Sequence, residues 1–202
     1  MLEALTGTGL AASAGLNAYI PLIAMGTLSR YTDAVALPSG WIWLENGWVL
    51  SILGILLAIE MVADKVPIID SANDVLQTVV RPTSGGLAFG AGASAQTTTV
   101  SDPGQFFGSD QWVPVAVGVV IAFGVHAIKA LARPAINATT AGIGGPVASV
   151  VEDVTSVVTS VLAILLPVLI VLLMLALIPL TWWAVRRRRL RRPARDGQTA
   201  PL

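Results

Sequence analysis

The chain has no cysteine and a single histidine, and only 12% of its 202 residues are charged. The first absence excludes disulfide frameworks, thiolate metal sites and thiol nucleophiles. The second leaves no histidine pair for a zinc site of the HExxH type, and neither a GxSxG elbow nor a glycine-rich phosphate loop followed by lysine occurs. The expected protein is therefore not an enzyme and needs no cofactor, and the type of any metal stays unknown. The scarcity of charge excludes an ordinary soluble domain. With 54% hydrophobic residues and a mean hydropathy of +0.76, there is too little polar surface to cover a globule of this size. The expected solvent is a lipid bilayer.

Net charge is zero, but the charges are unevenly spread. Half of the lysines and arginines fall in the run from Arg186 to Arg192, directly after a long apolar stretch. Such a run is a positive-inside signal, which places the C-terminus in the cytoplasm and argues against nucleic acid as a partner. Residues 1–185 read as one integral membrane helical domain and residues 186–202 as a basic, disordered cytoplasmic tail. No basic residue precedes the first apolar stretch, where Glu3 stands instead, so a cleaved secretory signal is not expected.

Along the chain, apolar stretches alternate with polar loops. Residues 5–28 are long enough to cross, with Asn17 and Pro21 marking a kink. The loop at residues 31–47 holds Trp41, Trp43, Asp33 and Glu45, and the loop at 96–111 holds Asp102 and Asp110, so both read as external. Between them lie a crossing at 48–64 and a segment at 70–95 that carries Arg81-Pro82 and is either broken or begins at the interface. Residues 112–131 cross again. Residues 134–149, rich in Asn, Thr, Gly and Pro, form either a short crossing or a re-entrant piece. Residues 154–185 form the last segment, with Glu152-Asp153 complementing the dipole at its N-terminus. The fold class expected is all-α, a polytopic bundle of about six segments with broken or re-entrant helices. Both chain ends are then cytoplasmic, and the location is the inner, or plasma, membrane.

Ionisable groups inside apolar stretches carry the functional signal, because burying a charge in hydrocarbon costs at least ~2.5–3.5 kcal/mol. Glu60 and Asp64 share one helix face, and so do Asp70 and Asp74, while His126, Lys129 and Arg133 form a basic face at spacings of three and four. Packing the two faces together lowers the desolvation cost of both signs. The candidate ion or ligand residues are Asn17, Glu60, Asp64, Asp70, Asn73, Asp74 and Asn137. Lys65, Arg81, His126, Lys129 and Arg133 are the candidate charge partners. Carboxylates and amides reached by broken helices are the ingredients of an ion or small-solute site, so permeation or transport is expected. The alternative is a non-catalytic scaffold. It would use small-residue faces, Gly7/Ala11/Gly15 and Gly86/Gly90/Ser94, to bind a second copy or another membrane protein.

The strings Gly15-Leu16-Asn17-Ala18-Tyr19-Ile20-Pro21, Glu60-Met61-Val62-Ala63-Asp64-Lys65-Val66-Pro67 with Asp70 and Asn73-Asp74, Arg81-Pro82, and Arg133-Pro134-Ala135-Ile136-Asn137-Ala138 with Glu152-Asp153 occur together. In these motifs the chain resembles the bacterial multipass membrane family described as domain of unknown function 4126, over roughly residues 5–177. The resemblance implies an integral membrane protein and assigns no activity.

Overall fold

The computed structural model describes residues 2–33, 35–65, 67–93 and 112–166, with backbone alone for 67–72. All of them belong to one compact unit, Met1–Ile170; the second unit, Val171–Leu202, lies outside the described residues. So do the loop at 96–111, most of the expected last segment and the arginine run.

Every regular element among the described residues is helical: α1 (Leu2–Leu16), α2 (Ile20–Tyr31), a 3-10 helix (Ser39–Glu45), α3 (Gly47–Ala63), α4 (Pro67–Ala93), α5 (Trp112–Thr139) and α6 (Gly144–Leu165). Two of these, α5 and α6, are long and apolar enough to cross a membrane. The 3-10 helix and α3, bent by 63° between them, make a third if counted as one span. These apolar helices mark a membrane-associated, all-α protein. The six expected segments are not reproduced as six crossings among the described residues.

The first apolar stretch departs most from expectation. Residues 5–28 do not run across as one kinked helix; they fold back on themselves. Asn17 accepts from the Tyr19 and Ile20 backbone N–H groups, capping a new helix, and Pro21 sits in its first turn, where its missing N–H is harmless. Helix α1 then runs antiparallel to α4: Gly7 faces Phe89 and Ala93, while the Gly15 carbonyl reaches Arg81. Helix α2 returns to the same end, where Gly26 lies against the Leu44 carbonyl and Ser29 donates to Glu45. With 15 and 12 residues, the two are about 22 and 18 Å long, each short of a ~30 Å hydrocarbon core. They form a hairpin that enters and leaves at the tryptophan-bearing end, so the first turn of α1 lies beside the 31–47 loop rather than opposite it.

Helix α1 is the axis of the bundle, packed on α4, α5 and α6, and close approach is what its small residues provide. A Cβ on Gly15 would stand 2.6 Å from the Ala122 carbonyl oxygen, and one on Gly85 would stand 2.2 Å from the Ala122 Cβ. The small faces Gly7/Ala11/Gly15 and Gly86/Gly90 are thus filled by this chain's own helices; Ser94 lies outside the described residues.

Three further expectations change. Pro82 lies inside a continuous α4, so the segment is unbroken over residues 70–93. Residues 134–149 are neither a crossing nor a re-entrant piece: Pro134 lies within α5, residues 140–143 make a turn with Ala141 and Gly142 at positive φ, and α6 begins at Gly144. Neighbouring helices permit such internal prolines by shielding or re-satisfying the freed carbonyl. Finally, because α6 starts at Gly144, Glu152 and Asp153 stand in its middle and do not complement a helix start.

Candidate functional site

At the end of the bundle away from the tryptophans, four helices place ionisable side chains into one buried cluster. The last turn of α3 supplies Glu60 and its C-cap supplies Asp64, α4 supplies Arg81, α5 supplies His126, Lys129 and Arg133, and α6 supplies Glu152 and Asp153. Arg81 is fully buried and donates to Glu60 at 2.8 Å, with Asp64 at 3.8 Å. Asp64 also lies 3.4 Å from both Lys129 and Arg133, and Glu152 pairs with the same two bases at 2.8 and 2.9 Å. The spacings explain the convergence. Residues four apart on α3 and on α5 rise one turn along the same face, so each helix offers two charges in register with its neighbour.

The tip of the α1–α2 hairpin sits on this cluster. The Leu16 carbonyl accepts from Lys129 at 3.3 Å and the Gly15 carbonyl from Arg81 at 3.4 Å. Two cations thus satisfy the otherwise orphaned carbonyls at the negative end of the α1 dipole. Asn17 donates to Asp153 at 2.9 Å, tying the tip to α6. His126 lies between Thr78, 3.1 Å from its Nε2, and Arg81, whose guanidinium lies 3.4 Å from its Nδ1.

The structure brings Asn17, Glu60, Asp64 and Asn73 together with Arg81, His126, Lys129 and Arg133; Asn73 donates to Asp64 at 2.9 Å. Lys65 stays outside, exposed and bonded to the Met61 carbonyl. Asp74 and Asn137 meet elsewhere, lining a cleft between α4 and α5 of about 410 Å³ that also touches Thr78 and Arg133. Their Oδ1 atoms are buried without hydrogen-bond partners, that of Asn137 against Gly145 at the start of α6. The side chain of Asp70 lies outside the described residues. Among the described residues, no group of three or more acids and histidines is placed to hold a metal ion.

Two features were not read from the sequence. Glu152 and Asp153 belong to the cluster, and their distance of one turn or less from Ser149 and Ser156 on a small-residue face was the available signal. Above them, Ser13 lies 2.6 Å from the Ser156 hydroxyl and 2.7 Å from that of Ser160, and all three are buried. Nearer the tryptophan end, Thr6 donates to the Ala163 carbonyl and borders a pocket of about 150 Å³ with Leu10, Met25 and Pro38. Polar contacts therefore recur along the α1–α6 seam, at Thr6 with Ala163, at Ser13 with Ser156 and Ser160, and at Asn17 with Asp153.

One family model matches residues 4–187, that of Domain of unknown function (DUF4126). No curated protein and no solved structure matches the chain.

Proposed function

The chain belongs to the DUF4126 family, and on that premise we propose that it is a non-catalytic membrane protein that lets a small ion or solute permeate through its polar interior. The observation that carries this reading is the position of the ionic cluster. It lies at the tip of a helical hairpin, between a cleft at one end of the bundle and a pocket at the other. Half-helices whose ends meet at a charged site are a recurrent way of building an intramembrane ion path, because they aim free backbone groups and dipole ends at one point. The cleft supplies an entrance. Its unpartnered Asp74 and Asn137 oxygens are acceptors, and they favour a cation or a solute bearing hydrogen-bond donors. A scaffold has less support, because the small-residue faces it would offer are occupied by this chain's own helices.

The test is flux in vesicles of purified protein, screened with common cations, anions and protons. Wild type should carry at least one of them, and Asp74→Asn should insert and fold normally while losing that flux. Vesicles no more permeable than protein-free ones to every candidate would favour the scaffold.

A further inference from the structure

We infer that the α1–α6 seam is a proton path and that Asp153 is the group through which protons pass between the two ends of the bundle; this rests on the permeation reading and names its ion. Four observations converge on it. First, Glu60, Asp64 and Glu152 each face at least one arginine or lysine at ion-pair distance, whereas Asp153 has no such ion pair among the described residues. Its one hydrogen-bond partner there is the neutral amide of Asn17, and its Oδ2 is buried with none. Second, it is 8% exposed, in a helix long and apolar enough to cross the membrane. Lys129, Lys65 and Asp64 act on this carboxyl electrostatically, but neither base reaches ion-pair distance among the described residues, so taking up a proton removes its charge and releasing one restores it.

Third, the seam leading to it is made of groups that both donate and accept. Ser160, Ser13 and Ser156 are hydrogen-bonded in sequence at 2.7 and 2.6 Å, and all three side chains are fully buried. Each hydroxyl can accept a proton on a lone pair and pass its own to the next, in place of the alternative donations from Ser13 to the Ser156 carbonyl at 2.8 Å and from Ser156 to the Ser13 carbonyl at 3.2 Å, leaving the chain chemically unchanged and reoriented. Fourth, the seam has an opening. Thr6, which borders the pocket at the tryptophan end, bonds to Ala163, one turn above Ser160. On the other side, Ser149 lies one turn from Asp153 and donates to Asp64, which contacts Arg133 at the cleft. The steps from the pocket to Ser160, from Ser156 to Asp153 and from Asp153 to Ser149 have no direct hydrogen bond, and the path takes bridging water at each of them. Because the Ala163 carbonyl accepts from Thr6 but has no proton to pass on, the proton enters the seam at Ser160 on water from the pocket; the Asp153 carboxylate then becomes a carboxylic acid, and loss of one proton past Ser149 restores it.

Hydroxyls between helices also serve as packing glue, so the test must separate the two roles. Full-length protein is reconstituted with a trapped pH-sensitive dye, and valinomycin with potassium compensates charge. A pH step should decay faster than in protein-free vesicles. Asp153→Asn should return the decay to the protein-free rate, Asp153→Glu should retain part of it, and Ser13→Ala should slow it while Ser13→Thr does not. A wild-type rate equal to that of empty vesicles, or a folded Asp153→Asn as fast as wild type, overturns the inference. If another ion flows and remains sensitive to Asp74→Asn while protons do not flow, the proton assignment fails and the permeation reading stands. Should Asp153→Asn not fold, the Ser13 pair decides alone: equal rates for Ala and Thr contradict the path.

Discussion

Neutralising the Glu60–Arg81 pair one member at a time gives the sharpest energetic test of a buried network. Arg81 has 0% and Glu60 1% side-chain exposure, and the pair is 2.8 Å apart. Arg81→Met leaves Glu60 dehydrated and without its ion-pair partner, while Glu60→Gln leaves Arg81 with Asp64 at 3.8 Å as its remaining carboxylate. Breaking a buried pair this way costs ~3–5 kcal/mol. Asp64 is insured against the loss of Arg81 by Lys129 and Arg133, so the damage should centre on Glu60. In the double variant neither ion remains to be dehydrated, and the total loss should be smaller than the sum of the single losses by at least ~2 kcal/mol. Unfolding equilibria in mixed micelles, titrated with denaturing detergent, measure all four corners of the cycle. Losses that add to within ~0.5 kcal/mol would show that the two side chains are independent and refute the network.

Three further outcomes follow from the packing. Single cysteines in this cysteine-free chain at Leu2 and Ser39 should react with an impermeant thiol reagent from one side of the membrane, and one at Ala141 from the other; opposite sides for Leu2 and Ser39 would restore a crossing first segment. Gly85→Val should destabilise by at least ~1–3 kcal/mol because its Cβ would overlap Ala122, whereas Gly54→Ala, with nothing within 4 Å, should be neutral or gain up to ~1 kcal/mol in the same micelle titration. Asn17→Ala removes the hydrogen-bond partner that Asp153 has among the described residues and the acceptor for the first N–H groups of α2, and should lower the thermal midpoint by an amount equivalent to ~2–4 kcal/mol. An unchanged midpoint would mean that the hairpin tip is not anchored.

What could be read in advance was the chemistry that helical spacing makes explicit. Glu60 with Asp64 and Lys129 with Arg133 stand out because charge in an apolar stretch is costly, and a spacing of four puts each pair on one face. Ser13, Ser156 and Ser160 carry no such cost, and inside small-residue stripes they look like ordinary packing positions. The hairpin was half legible. Asn17 and Pro21 marked a break, but hydropathy records only that residues 5–28 are apolar and long enough, and a fold-back satisfies lipid as well as a crossing does. Pro134 misled for the opposite reason: in water an internal proline commonly ends a helix, whereas among packed helices the loss is met by neighbours.

Permeation requires that water reach the polar interior from both ends and that the cluster not be a sealed clamp. Thr78 and Thr6 report on the two openings, because one lines the α4–α5 cleft and the other the pocket at the tryptophan end. In oriented vesicles, Thr78→Cys should react with a small hydrophilic thiol reagent only from the side on which Ala141→Cys reacts. Thr6→Cys should react only from the side of Ser39→Cys. If both cysteines in the folded protein stay unmodified from either side and react only after denaturation, the interior is closed and the permeation account is contradicted.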